Sequence, residues 1–108
     1  MKIDLQKKNI LVTGASRGIG AAISKELGKS GARIAIHYNK EKELAETMAQ
    51  IIGNDSKIFK ANLQEPVNCE MLFKDVLEEF GHIDVIINNA GTAILSPLDS
   101  ENWVKQWD

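Results

Sequence analysis

Between residues 9 and 88, runs apolar at nearly every position alternate with longer runs whose apolar residues recur at helical spacing. That alternation restricts the chain to layered α/β architectures. The strand-like runs are Asn9 to Thr13, Arg33 to Tyr38, Lys57 to Ala61 and Ile83 to Asn88, each short, rich in Ile, Val, Leu or Phe, and bounded by glycine or polar residues. Between them lie three helical stripes. The first is Ile19, Ala22, Ile23 and Leu27, closed by Gly31; the second is Leu44, Met48, Ile51 and Ile52, stopped near Gly53. The third opens at Pro66, a favoured first-turn residue, carries Val67, Met71, Leu72, Val76, Leu77 and Phe80, and ends at Gly81. Strands apolar on both faces need cover on both faces, which is the condition of a parallel sheet. Right-handed crossovers then predict a doubly wound sheet of order 3-2-1-4.

At 108 residues there is enough chain for one core, with roughly 60–70% of the unfolded surface buried, and not enough for two packed domains. Residues 1–108 are therefore expected to form a single domain. Ligands of doubly wound sheets bind beyond the C-terminal strand ends where the strand order reverses. That point falls between the first and fourth strands. Two polar, glycine-bearing segments follow those strands directly: Thr13-Gly14-Ala15-Ser16-Arg17-Gly18-Ile19-Gly20 and Asn88-Asn89-Ala90-Gly91. A glycine turn between strand and helix lets backbone approach a pyrophosphate, which then meets free N–H groups at the positive end of the helix. The spacing Thr-Gly-x-x-x-Gly-x-Gly differs from Gly-x-Gly-x-x-Gly, and no Gly-Lys-Ser/Thr follows to make a triphosphate loop.

The two segments at this separation resemble the short-chain dehydrogenase/reductase family, and within it most closely the 3-oxoacyl-acyl-carrier-protein reductases. The resemblance runs the length of the chain. It implies a nicotinamide-dependent oxidoreductase and the first half of a Rossmann fold, ending before the catalytic half. By the same resemblance Gly14, Ser16, Arg17, Gly18, Ile19 and Gly20 wrap the pyrophosphate. Asn89, Ala90 and Gly91 tie the central strands together and border the nicotinamide-side ribose. Asn62 and Leu63 stand where an acid-apolar pair holds adenine; Asn62 replaces the usual Asp, and its amide oxygen can still accept from an adenine amino group. The implied partner is a small-molecule carbonyl substrate, and the family implies a homo-oligomer.

Cofactor choice turns on the end of the second strand, where Asp or Glu would bond the ribose 2′-hydroxyl of NAD and repel a 2′-phosphate. The chain reads His37-Tyr38-Asn39-Lys40 there, with Tyr38 and Asn39 as candidate cofactor contacts and no carboxylate among the four. Arg17 and Lys40 can pair with a phosphate. NADP(H) is expected over NAD(H). Tyr38 and Lys42 have the Tyr-x-x-x-Lys spacing of the family's catalytic pair, yet they fall on the adenosine side, whereas that pair sits on a later helix. The spacing is read as a coincidence. Tyr38 is the only tyrosine. The Ser, Tyr and Lys of the family's active site, and the Asn on the helix that Ser100–Asp108 begins, have no counterpart here, so no catalytic residue is assigned.

Other features narrow the setting. A net charge of −2 lacks the basic excess of a nucleic-acid-binding surface. Residues 1–54 carry nine basic and five acidic groups, residues 55–108 four and ten, so an anionic cofactor is expected to prefer the first half. One cysteine, Cys69, and the absence of Cys/His ligand spacing predict no disulfide and no metal site, as fits a cytoplasmic protein. Apolar runs such as Val85-Ile86-Ile87 are far below the roughly 20 residues needed to span a bilayer, and the charged N-terminus is unlike a signal peptide. Cys69 is read as a packed residue, His37 and His82 as locally bonded imidazoles, and Trp103 and Trp107 as packing residues on one helix face. The fourth strand should have only the first as neighbour, leaving an open edge through which chains associate. Two alternatives to an enzyme half stay open: a non-enzymatic nucleotide-binding module completed by a partner chain, and a remnant that binds nothing.

Overall fold

The computed structural model describes residues 3–89. The expectations for Ala90, Gly91, Trp103, Trp107 and segment 100–108 lie outside them. The elements run β1 (Asn9–Val12), α1 (Gly18–Lys29), β2 (Arg33–Tyr38), α2 (Lys42–Ile52), β3 (Lys57–Lys60), α3 (Pro66–Phe80) and β4 (Val85–Ile87). All three strand pairings are parallel and the order is β3-β2-β1-β4, the doubly wound arrangement that the alternation predicts. No helix among the described residues is long and apolar enough to cross a membrane.

The period of two divides each strand between two cores. Ile10, Val12, Ile34 and Ile36 face one side, where Ala21 of α1 and Ala45 and Met48 of α2 cover them. Leu11, Ala35 and Ile86 face the other, under Leu72, Phe73, Val76 and Phe80 of α3. The chain crosses from the first side to the second after β3, because β4 pairs with β1 at the far end of the sheet. That reversal opens a crevice above β1.

The helices form where expected, but on shifted faces. On α1 the inward residues are Gly20, Ala21, Ser24 and Gly28, while Ile19 is 73% exposed. Small residues bring this helix close. A Cβ on Gly28 would lie 2.6 Å from Cγ2 of Ile52 on α2, so a larger residue there would push the two helices apart. On α2 Ala45 and Met48 are buried and Ala49 and Ile52 pack at the margin, leaving Leu44 and Ile51 exposed. On α3 the expected Leu72, Val76 and Phe80 are buried together with Cys69 and Phe73, whereas Val67 and Met71 face outward. Choosing the face by side-chain size misplaces it where backbone proximity, not bulk, fills the space.

β4 is shorter than the run Ile83 to Asn88, because its lower end is taken up by a side-chain clasp. The Asn9 N–H donates to Oδ2 of Asp84 at 2.8 Å, and the Asp84 N–H returns a bond to the Asn9 carbonyl at 2.8 Å. The Asn9 amide donates onward to the carbonyls of His82 and Phe80. The Asn9 N–H, with His82 alongside, holds the Asp84 carboxyl below its ordinary range. Asp84→Ala leaves a buried-end N–H without its charged acceptor and should cost about 1–3 kcal/mol in a thermal or urea melt. An unchanged melt would contradict the clasp.

Candidate functional site

A cleft of about 530 Å³ lies over the C-terminal strand ends, walled by the β1–α1 turn, the residues after β2 and β3, and Asn89 beyond β4. Its floor is the turn. Gly14 has φ +62°, the left-handed region where a side chain would strain the backbone. Its N–H donates to Nδ1 of His37 at 2.9 Å, and its carbonyl accepts from Nδ2 of Asn89 at 3.3 Å. The next N–H, from Ala15, donates to the His37 carbonyl at 3.0 Å. Thr13 adds bonds on the β4 side, its N–H to the Ile87 carbonyl at 3.0 Å and its hydroxyl to Oδ1 of Asn88 at 3.1 Å. The turn is thus tied to β2 on one side and to β4 on the other.

α1 begins directly beneath. A Cβ on Gly20 would stand 2.1 Å from the Gly14 carbonyl oxygen and 2.7 Å from Nδ2 of Asn89. Only glycine lets the first helical turn reach this position. No side chain caps α1 and no acidic residue lies in its first turn, so its leading N–H groups and positive dipole end keep their capacity for an anion.

The structure brings Gly14, Ser16, Arg17, Gly18, Tyr38, Asn39, Asn62, Leu63 and Asn89 to this one cleft. Gly20 supports it from below. Ile19 does not line it but stands exposed beside the turn. Oδ1 of Asn62 accepts from the Gln64 N–H at 3.1 Å, so one lone pair of the amide oxygen is already used in a local turn. Leu63 is buried in the α3-side core, where its carbonyl meets the Cys69 thiol. Burial pushes that thiol pKa up, in keeping with a packed residue. Tyr38 and Lys42 do not form an acid-base pair: Tyr38 is buried in the core, and the Lys42 ammonium lies on the surface 4.0 Å from Glu46.

Two cleft residues have partners that the sequence reading, with His37 as a locally bonded imidazole and Glu41 as part of a solvated helix start, does not assign. Glu41 lines the wall one position past the tetrapeptide inspected for a carboxylate, and its Oε1 lies 3.5 Å from the Arg17 guanidinium. His37 is more than locally bonded. It is buried, and its Nε2 meets the Ala61 carbonyl at 2.8 Å while Nδ1 receives Gly14. Burial pushes its pKa below 6.5 despite the opposing pull of the Ala61 carbonyl.

Gly20→Ala should destabilise the chain by about 1–3 kcal/mol through overpacking, and the turn should lose its geometry; a melt equal to the unsubstituted chain would refute the contact. Acid should also weaken the fold. Because the folded state resists protonation of His37, the stability that this ring contributes is full above pH 6.5 and declines as pH falls from there through the lowered folded-state value. A melting temperature flat across that window would contradict the buried neutral ring.

A family model described as short chain dehydrogenase matches residues 8–108. Among curated relatives, an uncharacterized oxidoreductase of Staphylococcus epidermidis is 38% identical over 104 residues, covering 96% of this chain and 44% of the relative. The 3-oxoacyl-[acyl-carrier-protein] reductase FabG of Staphylococcus aureus is 37% identical over 102 residues, covering 89% and 42%. A short chain dehydrogenase of Burkholderia cenocepacia J2315, solved in complex with NADP, aligns with TM-score 0.77 at 43% identity over 81% of this chain and 37% of that one. The chain spans less than half the length of these relatives. The matched residues and the fold agree, and this chain belongs to the short chain dehydrogenase family.

Proposed function

We propose that residues 1–108 are the dinucleotide-binding part of an NADP(H)-dependent oxidoreductase whose catalytic residues are supplied by sequence beyond them. The observation that carries this reading is the Gly14 turn, with Gly20 packed against its carbonyl and an uncapped helix start opening on the cleft. Those groups suit a pyrophosphate: backbone N–H donors, a favourable dipole and no obstructing Cβ. Gly14, Ser16, Arg17, Gly18, Ile19 and Gly20 would hold it, Tyr38, Asn39, Asn62 and Leu63 the adenosine, and Asn89, Ala90 and Gly91 the second ribose. The bound nicotinamide would supply hydride for a carbonyl substrate, with a 3-oxoacyl thioester as the candidate drawn from the FabG resemblance. This chain's own residues bind and orient. A cytoplasmic homo-oligomer is the expected setting.

NADP(H) is favoured over NAD(H) by the charge around the adenosine end. Arg17 and Lys40 are both at the cleft, and three of the similar structures were solved with NADP bound. Glu41 works against them. Its pair with Arg17 is exposed, with the guanidinium side chain 72% accessible, and such pairs contribute about 0–1 kcal/mol. A phosphate that accepts two parallel bonds from the same guanidinium can displace it. A nucleotide-binding module without catalysis is the second reading, favoured by the terminal position of β4 among the described strands, with Val85 45% exposed. A partner chain would cover that edge.

Calorimetric titration of the chain with NADPH and NADH tests the reading. Arg17→Glu should weaken NADPH by about tenfold or more and NADH by less, since only NADPH loses a 2′-phosphate partner as well as a pyrophosphate neighbour, and Glu41→Gln should strengthen NADPH selectively. Equal changes for both nucleotides would remove the 2′-phosphate assignment, and no binding of either would remove the function.

A further inference from the structure

We propose that His37 is a positioning residue for the nucleotide site: its neutral ring sets the Gly14 turn, and its protonation releases that turn and weakens dinucleotide binding in acid. The inference rests on the nucleotide-binding reading above. It starts from the hydrogen bonds, which fix one tautomer. Nδ1 receives the Gly14 N–H at 2.9 Å and so carries no proton; Nε2 must then carry it, and donates to the Ala61 carbonyl at 2.8 Å. One ring therefore joins the β1–α1 turn to the end of β3 while its own backbone carbonyl holds Ala15.

A second proton on this ring has no acceptable place. It would sit on Nδ1, pointing at the Gly14 N–H, so that two donors would face each other across the present bond. The ring cannot turn to avoid this without giving up Ala61. The Gly14 N–H would have to move, and with it the residue whose carbonyl, in the following peptide, is the one against which Gly20 and Asn89 are packed. Charged and titratable groups on the surrounding elements are Arg17 in the turn, Lys40 and Glu41 after β2, Lys60 at the end of β3 and Cys69 on α3. The ring's balance is set first by burial and second by the Ala61 carbonyl. Asparagine is the informative replacement, since a planar amide offers an acceptor and a donor but does not titrate.

The test uses the whole 108-residue chain from about pH 8 down to the lowest pH at which its amides stay dispersed, with NADH as probe because it lacks a 2′-phosphate that would itself titrate. The unsubstituted chain should show an Nε2–H ring for His37 by ¹⁵N NMR, and the Gly14 amide shift should follow the ring's titration. Its NADH affinity should fall about three- to tenfold across that titration, whereas His37→Asn should bind with a flat profile. Equal acid losses in both chains, or a His37 ring that titrates without moving the Gly14 amide, would overturn the proposal. Should His37→Asn not fold, the coupling of ring and Gly14 amide in the unsubstituted chain decides alone. Absence of NADH binding at every pH, with that coupling intact, would overturn the nucleotide reading while leaving the positioning role standing.

Discussion

Gly14 is held from both sides, its N–H by the His37 imidazole and its carbonyl by the Asn89 amide, and the site depends on that clamp. Each partner belongs to a different neighbouring strand. β2 delivers His37 because it pairs with β1 in parallel register, Leu11 beside Ala35 and Val12 beside Ile36. β4 delivers Asn89 because it pairs with β1 on the other edge, Val12 beside Ile87. Strand order thus becomes local chemistry: only a strand flanked on both sides by parallel neighbours, with its following helix on one face, can present a turn clamped in this way. Gly20 completes the arrangement, since any side chain there would occupy the space of the Gly14 oxygen.

From the clamp the cleft's polarity follows. The N–H groups of the turn that bond inward, from Thr13, Gly14 and Ala15, are spent on fixing the backbone. Those at the start of α1 have no side-chain cap, and with the helix dipole they keep their capacity for a ligand anion. The same segment carries Arg17, whose weak exposed pair with Glu41 leaves the guanidinium exchangeable. On the proposed reading, rigid backbone and exchangeable side chain would have different duties: the first would fix where a pyrophosphate lies, the second would bias which nucleotide is preferred.

Much of this is legible in the sequence, for physical reasons that can be named. Parallel strands buried on both faces read as uninterrupted apolar runs, so β1 and β2 are recognisable from Ile10-Leu11-Val12 and Ile34-Ala35-Ile36 alone. Glycines at a strand-to-helix junction mark the turn because few other residues fit there. The helix faces are less legible. Ile19 is large and apolar and yet exposed, while Gly20, Ser24 and Gly28 face the core, because closeness of approach favoured small residues over bulk. The partners of His37 and Glu41 are illegible for another reason. A lone histidine or glutamate carries no signal until the fold supplies its partners, Gly14 and Ala61 for one and Arg17 for the other. The shortened β4 has the same origin, since nothing in Ile83-Asp84 announces that Asp84 is bonded to Asn9, 75 residues away.

The most direct test of the account is a map of backbone amide shifts in the ¹⁵N-labelled chain as NADPH is added. The account predicts saturable changes concentrated at Gly14–Gly20, His37–Glu41, Asn62–Leu63 and Asn89, with the Asn9–Asp84 clasp at the opposite end of the sheet unmoved. Saturable changes centred elsewhere, or no change at saturating nucleotide in a chain whose amides are dispersed and folded, would contradict it.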